Sequence, residues 1–149
     1  MKEVKLFMNE RVNDKINEVE KNIDFLSEII PESLENYLAD REKRMACERV
    51  SEIIIEAVTD ISFLVFKEEL IKDKNLVVPK SDSDVFEILA RRKIISQILS
   101  RKLIEAKGMR NHLAHEYEDI DDKIVFNAIS NELPNDTREF IKEVLKYYS

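Results

Sequence analysis

From Glu32 to Val78 the chain runs without a glycine or a proline, and that gap limits what it can fold into more than any motif does. A many-stranded β fold needs turn residues at every hairpin. Here 149 residues hold one glycine, Gly108, and three prolines, while Leu, Ile, Glu and Lys are abundant. The expected fold is all-α: an up-and-down helical bundle of about five helices, two of them long and antiparallel, in a single domain over residues 1–149. A chain of this length can bury a core covering roughly 70% of its unfolded surface.

Apolar spacing fills in the bundle. Val12, Ile16, Val19, Ile23, Leu26 and Ile30 alternate at four and three residues, the seam of a helix packed along a partner and ended by Pro31. A second long helix is expected from near Ser33, where Ser33 and Asn36 compete as caps, past Lys67 without a break. Its inward face is Leu34, Leu38, Arg41, Met45, Ile54, Ala57, Ile61, Leu64 and Val65. Asp73 to Ser83, with Pro79, reads as a loop. Ser83 then caps a short helix through about Ala90 with Val85, Phe86, Ile88 and Leu89 inside. Another helix begins near Ser96, with Ile98, Leu99, Leu103, Ile104 and Met109 facing in. Two last stretches, about Asp122 to Asn131 and Asp136 to Tyr148, are separated by Pro134. The long apolar seams of the first two helices make a homodimer the expected assembly.

The single cysteine, Cys47, has no partner for an internal disulfide and no second thiol for a zinc site, and it reads as a small buried hydrophobe. Nothing resembles an export signal or approaches the roughly 20 apolar residues of a membrane span. A cytoplasmic protein without membrane contact is expected. The formal charge of −7 argues against broad, non-specific nucleic-acid binding. Its distribution is uneven: Arg91, Arg92, Lys93, Arg101, Lys102, Lys107 and Arg110 face only Glu105 across residues 91–110. Glu116, Glu118, Asp119, Asp121 and Asp122 follow at once. The basic run suits either a solvated helix face or a local phosphate site.

At the junction of the two charge blocks lies GMRNHLAHEYEDID, residues 108–121, with both histidines of the chain. Gly108 marks a position where unusual backbone geometry is permitted. On a continuous helix Asn111 and His115 share a face at i, i+4, and His112 and His115 are neighbours at i, i+3. Arg110 stands about 140° away from His115. The two converge only if the helix ends or distorts near His115, or if a second copy supplies one of them across a symmetric interface. The residue types fit RNA cleavage without a metal. That reaction needs a base for the 2′-hydroxyl, an acid for the leaving oxygen and a cation for the charged phosphorus centre. Histidine titrates nearest neutrality and arginine presents a fixed fork of donors.

Arg110, His115 and Tyr117 also match the R-x4-H-x-Y motif of the HepT toxins, within the HEPN superfamily of helical RNases. The resemblance covers roughly residues 8 to 131. DREKRMACERVSEIIIEAVTDIS at 40–62 is similar to the family's long second helix, and FEILARRKIISQILSRKLIEAKGMRNHLAHEYEDID at 86–121 to its motif helix and lead-in. The resemblance implies an endoribonuclease toxin of a type VII toxin–antitoxin system. It would act on tRNA or mRNA and not on DNA, leave 2′,3′-cyclic phosphate ends, and form its site between two protomers. Arg110 and His115 would be catalytic and Asn111 supporting. Tyr117 would receive AMP from a cognate MntA-type nucleotidyltransferase antitoxin, whose phosphates would crowd the phosphate pocket. His112 falls where many relatives carry an apolar residue.

Other readings stand beside these. One alternative pairs Arg110 with Glu48 or Glu116, and another gives Tyr117 a packing role alone. Arg41, Arg44, Glu48 and Arg49 lie in the region that faces the motif helix, and Glu48 is the favoured supporting carboxylate. His112 with Glu116, and His115 with Asp119, are pairs of a kind that bind zinc, but no third ligand has persuasive spacing, so no metal or cofactor is expected. For the chain as a whole, the alternatives are a non-catalytic, nucleotide-binding or substrate-positioning subunit of a nucleotidyltransferase and a plain helical dimerisation module.

Overall fold

The computed structural model describes residues 9–114 and 121–149, and among these every regular element is helical. In chain order they are α1 (Glu10–Ile29), α2 (Leu34–Ala39), α3 (Arg41–Lys72), α4 (Asp82–Arg91), α5 (Gln97–Ala114), α6 (Asp122–Asn127), a π-helical turn (Ala128–Glu132) and α7 (Leu133–Tyr147). The all-α expectation holds, with more and shorter helices than the five expected.

The seam predicted for α1 is observed from Val12 to Leu26, while Ile30, its last predicted member, is the C-cap and only half-buried. Val12, Ile16, Val19, Ile23 and Leu26 are all buried, each contributing roughly 1.5–3 kcal/mol relative to exposure. They lie along α3 in antiparallel fashion, and an ion pair between Lys15 and Asp60 at 3.1 Å fixes the register. At 32 residues α3 is about 48 Å long and is the central element, touching α1, α2, α4, α5 and α7. Its middle is enclosed on several sides, which is why Ile54, Ile55, Ala57, Val58, Ile61 and Leu64 to Phe66 are all buried rather than one stripe of them. The hydroxyls this encloses are satisfied locally: Ser51, Thr59 and Ser62 donate to the carbonyls of Cys47, Ile55 and Val58 at 2.8–2.9 Å.

Four expectations need correction. The second helix is not continuous from Ser33. Ser33 caps the short α2, and Asp40, in an extended conformation, then accepts from the Lys43 N–H at 3.1 Å and starts α3 afresh. The break resets the helical phase, so Leu38 (42% exposed) and Met45 (50%) face outward while Tyr37 is wholly buried against Phe126. The cap of α4 is Ser81 rather than Ser83, helped by Asp84 accepting from the Lys80 N–H at 2.8 Å. On α5, Ile98 is exposed, whereas Leu99 and Leu103 are buried as expected. Pro134 does not separate two helices. The turn before it widens, with the Leu133 N–H donating to the Ala128 carbonyl five residues back, and the proline is accommodated at the start of α7. A proline removes one donor and crowds the carbonyl four residues earlier, and a π-turn absorbs that misfit without ending the helix.

Candidate functional site

The helix that carries the motif is anchored at its start. Ser96 caps α5, accepting from the Leu99 N–H at 3.1 Å, while its own N–H donates to Glu143 of α7 at 2.7 Å. The turn before it is a Schellman closure in which Lys93 takes φ 62°, its N–H donating to Ala90 and that of Ile94 to Leu89. Beneath that turn, buried Glu69 of α3 receives Arg92 at 3.0 Å and the Tyr147 hydroxyl at 2.7 Å, with Lys72 at 3.4 Å. Burial alone would raise its carboxyl; the donors of Tyr147, Arg92 and Lys72 outweigh burial and hold it below the usual glutamate range.

The basic run does not form an open cationic surface. Arg92 pairs with Glu69 and Asp73, Lys102 with Asp136, Lys107 with Asp82 and Arg110 with Glu56. These partners sit on α3, on α4, on α7 and just past the end of α3, so the charges are neutralised across elements; Arg91, Lys93 and Arg101 are exposed. Gly108 lies inside α5 with no positive φ, and a Cβ there would meet nothing within 4 Å. The unusual backbone that this glycine permits is not adopted.

Arg110 projects from the last turns of α5 onto α3. One Nη2 hydrogen bonds the Glu56 carboxylate, Nη1 donates to Asn111 Oδ1 at 3.4 Å, and Nε is buried with no acceptor. The side chains of the pair are 27% and 40% exposed, so it sits at a rim that solvent and solutes reach. Asn111 and His112 lie exposed on the same helix. His115 and Tyr117 fall outside the described residues, as do Glu116 and Asp119 of the suggested zinc pairs.

Glu48, expected to support the arginine, is engaged elsewhere: it accepts the Tyr37 hydroxyl at 3.2 Å. Burial raises its carboxyl, and Asp122 and Glu52 add to the effect against the opposing influence of Tyr37 and Arg44. Its neighbour Cys47 is fully buried, and burial and Glu48 push its thiol up to about 11, far from the reactive range. The carboxylate that meets Arg110 is Glu56, two turns further on, about 12 Å along α3. Sequence reasoning passed over it. The available signal was the recurrence of Glu48, Glu52, Glu56 and Asp60 every four residues, which puts all four acids on neighbouring faces of one helix.

The arrangement is a half-exposed arginine braced by a carboxylate, at the end of a helix rigidly docked at its start. Such a guanidinium can receive a phosphate oxygen.

Similarity to known proteins bears on this site. Residues 19–144 match the Ribonuclease HepT-like family. The chain is 27% identical over 119 residues to the tRNA nuclease HepT of Aphanizomenon flos-aquae (strain 2012/KM1/D3), covering 80% of this chain and 78% of that protein. It is 33% identical over 75 residues to the mRNA nuclease HepT of Shewanella oneidensis, covering 50% and 55%. Among solved structures, the tri-AMPylated Shewanella oneidensis HEPN toxin in complex with MNT antitoxin has a TM-score of 0.84 at 23% identity, over 93% of this chain and 99% of that one. A toxin–antitoxin crystal structure with AMP-PNP has a TM-score of 0.79 at 22% identity, over the same shares. These structural likenesses establish a HEPN-like helical fold. With the family match spanning most of its length, the chain belongs to the Ribonuclease HepT-like family.

Proposed function

We propose that this protein is the toxin of a type VII toxin–antitoxin system, a metal-independent endoribonuclease that cleaves tRNA or mRNA. The observation that carries the reading is the R-x4-H-x-Y motif, Arg110, His115 and Tyr117, inside the region matched to the Ribonuclease HepT-like family. The tRNA and mRNA nucleases among the relatives support the substrate class. Arg110 binds the scissile phosphate and stabilises the charge that develops on it. His115 moves the proton between the 2′-hydroxyl and the leaving 5′-oxygen, and the product carries a 2′,3′-cyclic phosphate. Asn111, beside Arg110 and bonded to it, supports the guanidinium.

The toxin works as a homodimer in the cytoplasm, and an MntA-type nucleotidyltransferase silences it by transferring AMP to Tyr117. The AMPylated toxin and its MNT antitoxin among the structural relatives support the silencing by AMP transfer. Phosphates on Tyr117, two residues from His115 in the sequence, would occupy the phosphate site electrostatically and compete with RNA for it. The test is to incubate the purified chain with such a transferase and ATP and follow both modification and RNA cleavage. Wild type gains AMP on Tyr117 and stops cleaving; Tyr117→Phe gains none and continues to cleave. AMP on another residue, or cleavage that survives full modification of Tyr117, would refute the regulatory half of the proposal.

A further inference from the structure

Glu48, Glu52, Glu56 and Asp60 rise along α3 at four-residue intervals. Like charges at that spacing repel, and each is answered by its own group: Glu48 by Tyr37 of α2, Glu52 by Arg49 of α3 itself, and Asp60 by Lys15 of α1. Glu56 is the rung answered from the motif helix, by Arg110.

The hydrogens of Arg110 show what that contact does. A guanidinium has five N–H donors. One on Nη2 goes to Glu56, one on Nη1 to Asn111 at 3.4 Å, and Nε–H is enclosed without an acceptor. Among the described residues one hydrogen on each Nη has no acceptor, and a phosphate can accept from both nitrogens. A buried Nε–H with no acceptor contributes nothing to orientation, and the bond to Asn111 is long. Among the described residues, Glu56 is therefore the group that fixes the plane of the guanidinium.

From this we infer that Glu56 is a positioning residue for Arg110, a reading that rests on the nuclease function proposed above. Its carboxylate holds the guanidinium against α3 and leaves the two remaining donors for an RNA phosphate. Its charge also offsets that of the arginine, so the ground-state phosphate is not bound more tightly than the transition state requires. Loss of Glu56 therefore separates binding from chemistry. The freed cation holds RNA as tightly as before or more tightly, and turnover slows because the fork is no longer aimed. A merely structural role would weaken both together.

The experiment uses the full chain and two readouts. The first is NMR of the Arg110 side chain, in which restricted rotation about the guanidinium bonds resolves the Nη hydrogens. The second compares single-turnover RNA cleavage with RNA Kd, the latter measured on a His115→Ala background so that the ligand stays intact. Glu56→Ala should merge the Arg110 Nη signals and slow cleavage on the order of 10- to 100-fold, with Kd unchanged or tighter. Glu56→Gln, which keeps an acceptor oxygen, should restore most of the rate. Glu52→Gln, which removes the same charge one turn away, should leave the rate unchanged. Identical Arg110 signals in wild type and Glu56→Ala, or an undiminished rate in Glu56→Ala, would overturn the proposal. A wild type that does not cleave would remove the nuclease reading instead, and the NMR readout would still decide whether Glu56 positions Arg110.

Discussion

Glu69 is 6% exposed, yet its carboxylate reaches three parts of the bundle at once, from its own place near the end of α3. Arg92 meets it from the turn ahead of α5, Tyr147 from the last turn of α7 and Lys72 from α3. Glu69→Ala removes the acceptor for two short bonds, of which hydrogen bonds involving a charged group contribute roughly 1.5–3 kcal/mol each. Arg92 is about a third exposed and keeps Asp73 at 3.2 Å, so it is partly resolvated and the cost falls below the sum. A loss of about 3 kcal/mol follows, which for a chain of this size lowers Tm by about 6–12 °C. The pH dependence has a definite sign. Because the folded carboxyl lies below the ordinary glutamate value, its stabilisation is fully present above about pH 4.3 and is lost as pH falls through the folded value. Thermal unfolding followed by circular dichroism should therefore show a wide gap between wild type and variant at pH 7 that closes below about pH 4. A gap of under about 2 °C at neutral pH, or one that persists unchanged into acid, would refute the reasoning.

Three further outcomes are expected. Lys93→Gly should stabilise the chain by about 1 kcal/mol in urea unfolding, because a side chain no longer has to occupy the left-handed position at the end of α4; destabilisation would contradict that backbone geometry. Gly108→Ala should also stabilise, by about 0.5–1 kcal/mol, since the residue is helical and the added methyl meets nothing. A drop in Tm would show that the glycine serves a close approach. Glu48→Gln keeps an acceptor for Tyr37 while removing a carboxyl whose folded value is raised, chiefly by burial. In wild type that group contributes stability fully present below the ordinary glutamate value and lost as pH rises through the folded one. The variant's Tm should therefore fall less than that of wild type between pH 4 and neutrality; parallel curves would refute this.

Signals local to one helix are legible in the sequence, and those that depend on a second helix are not. The α1 seam was legible because one face of one helix carries it from Val12 to Leu26. The helix start near Ser96 was legible for the same reason, and Ser96 proves to be its cap. Asp40 was not, because an acidic residue inside an unbroken helical pattern looks like solvated surface until its side chain is seen to take the Lys43 N–H. That single cap moved Leu38 and Met45 to the surface and Tyr37 into the core. Pro134 looks like a break in the sequence because a widened turn has no signature of its own there. In the candidate site, the position of Arg110 on the motif helix was legible and its partner was not. Glu48 and Glu56 differ only in which turn of α3 lies opposite the end of α5, a question of packing rather than of pattern. The neutralisation of the basic run was hidden likewise, because the acids that answer it come from other elements.

The central claim is that Arg110 and His115 make this chain a ribonuclease. Wild type, Arg110→Ala and His115→Ala should be incubated with tRNA and mRNA in EDTA, and the ends of any fragments identified. Wild type alone should cleave, leaving 2′,3′-cyclic phosphate ends, with all three proteins equally folded. Cleavage retained by His115→Ala, or dependence of the wild-type reaction on a divalent metal, would contradict it.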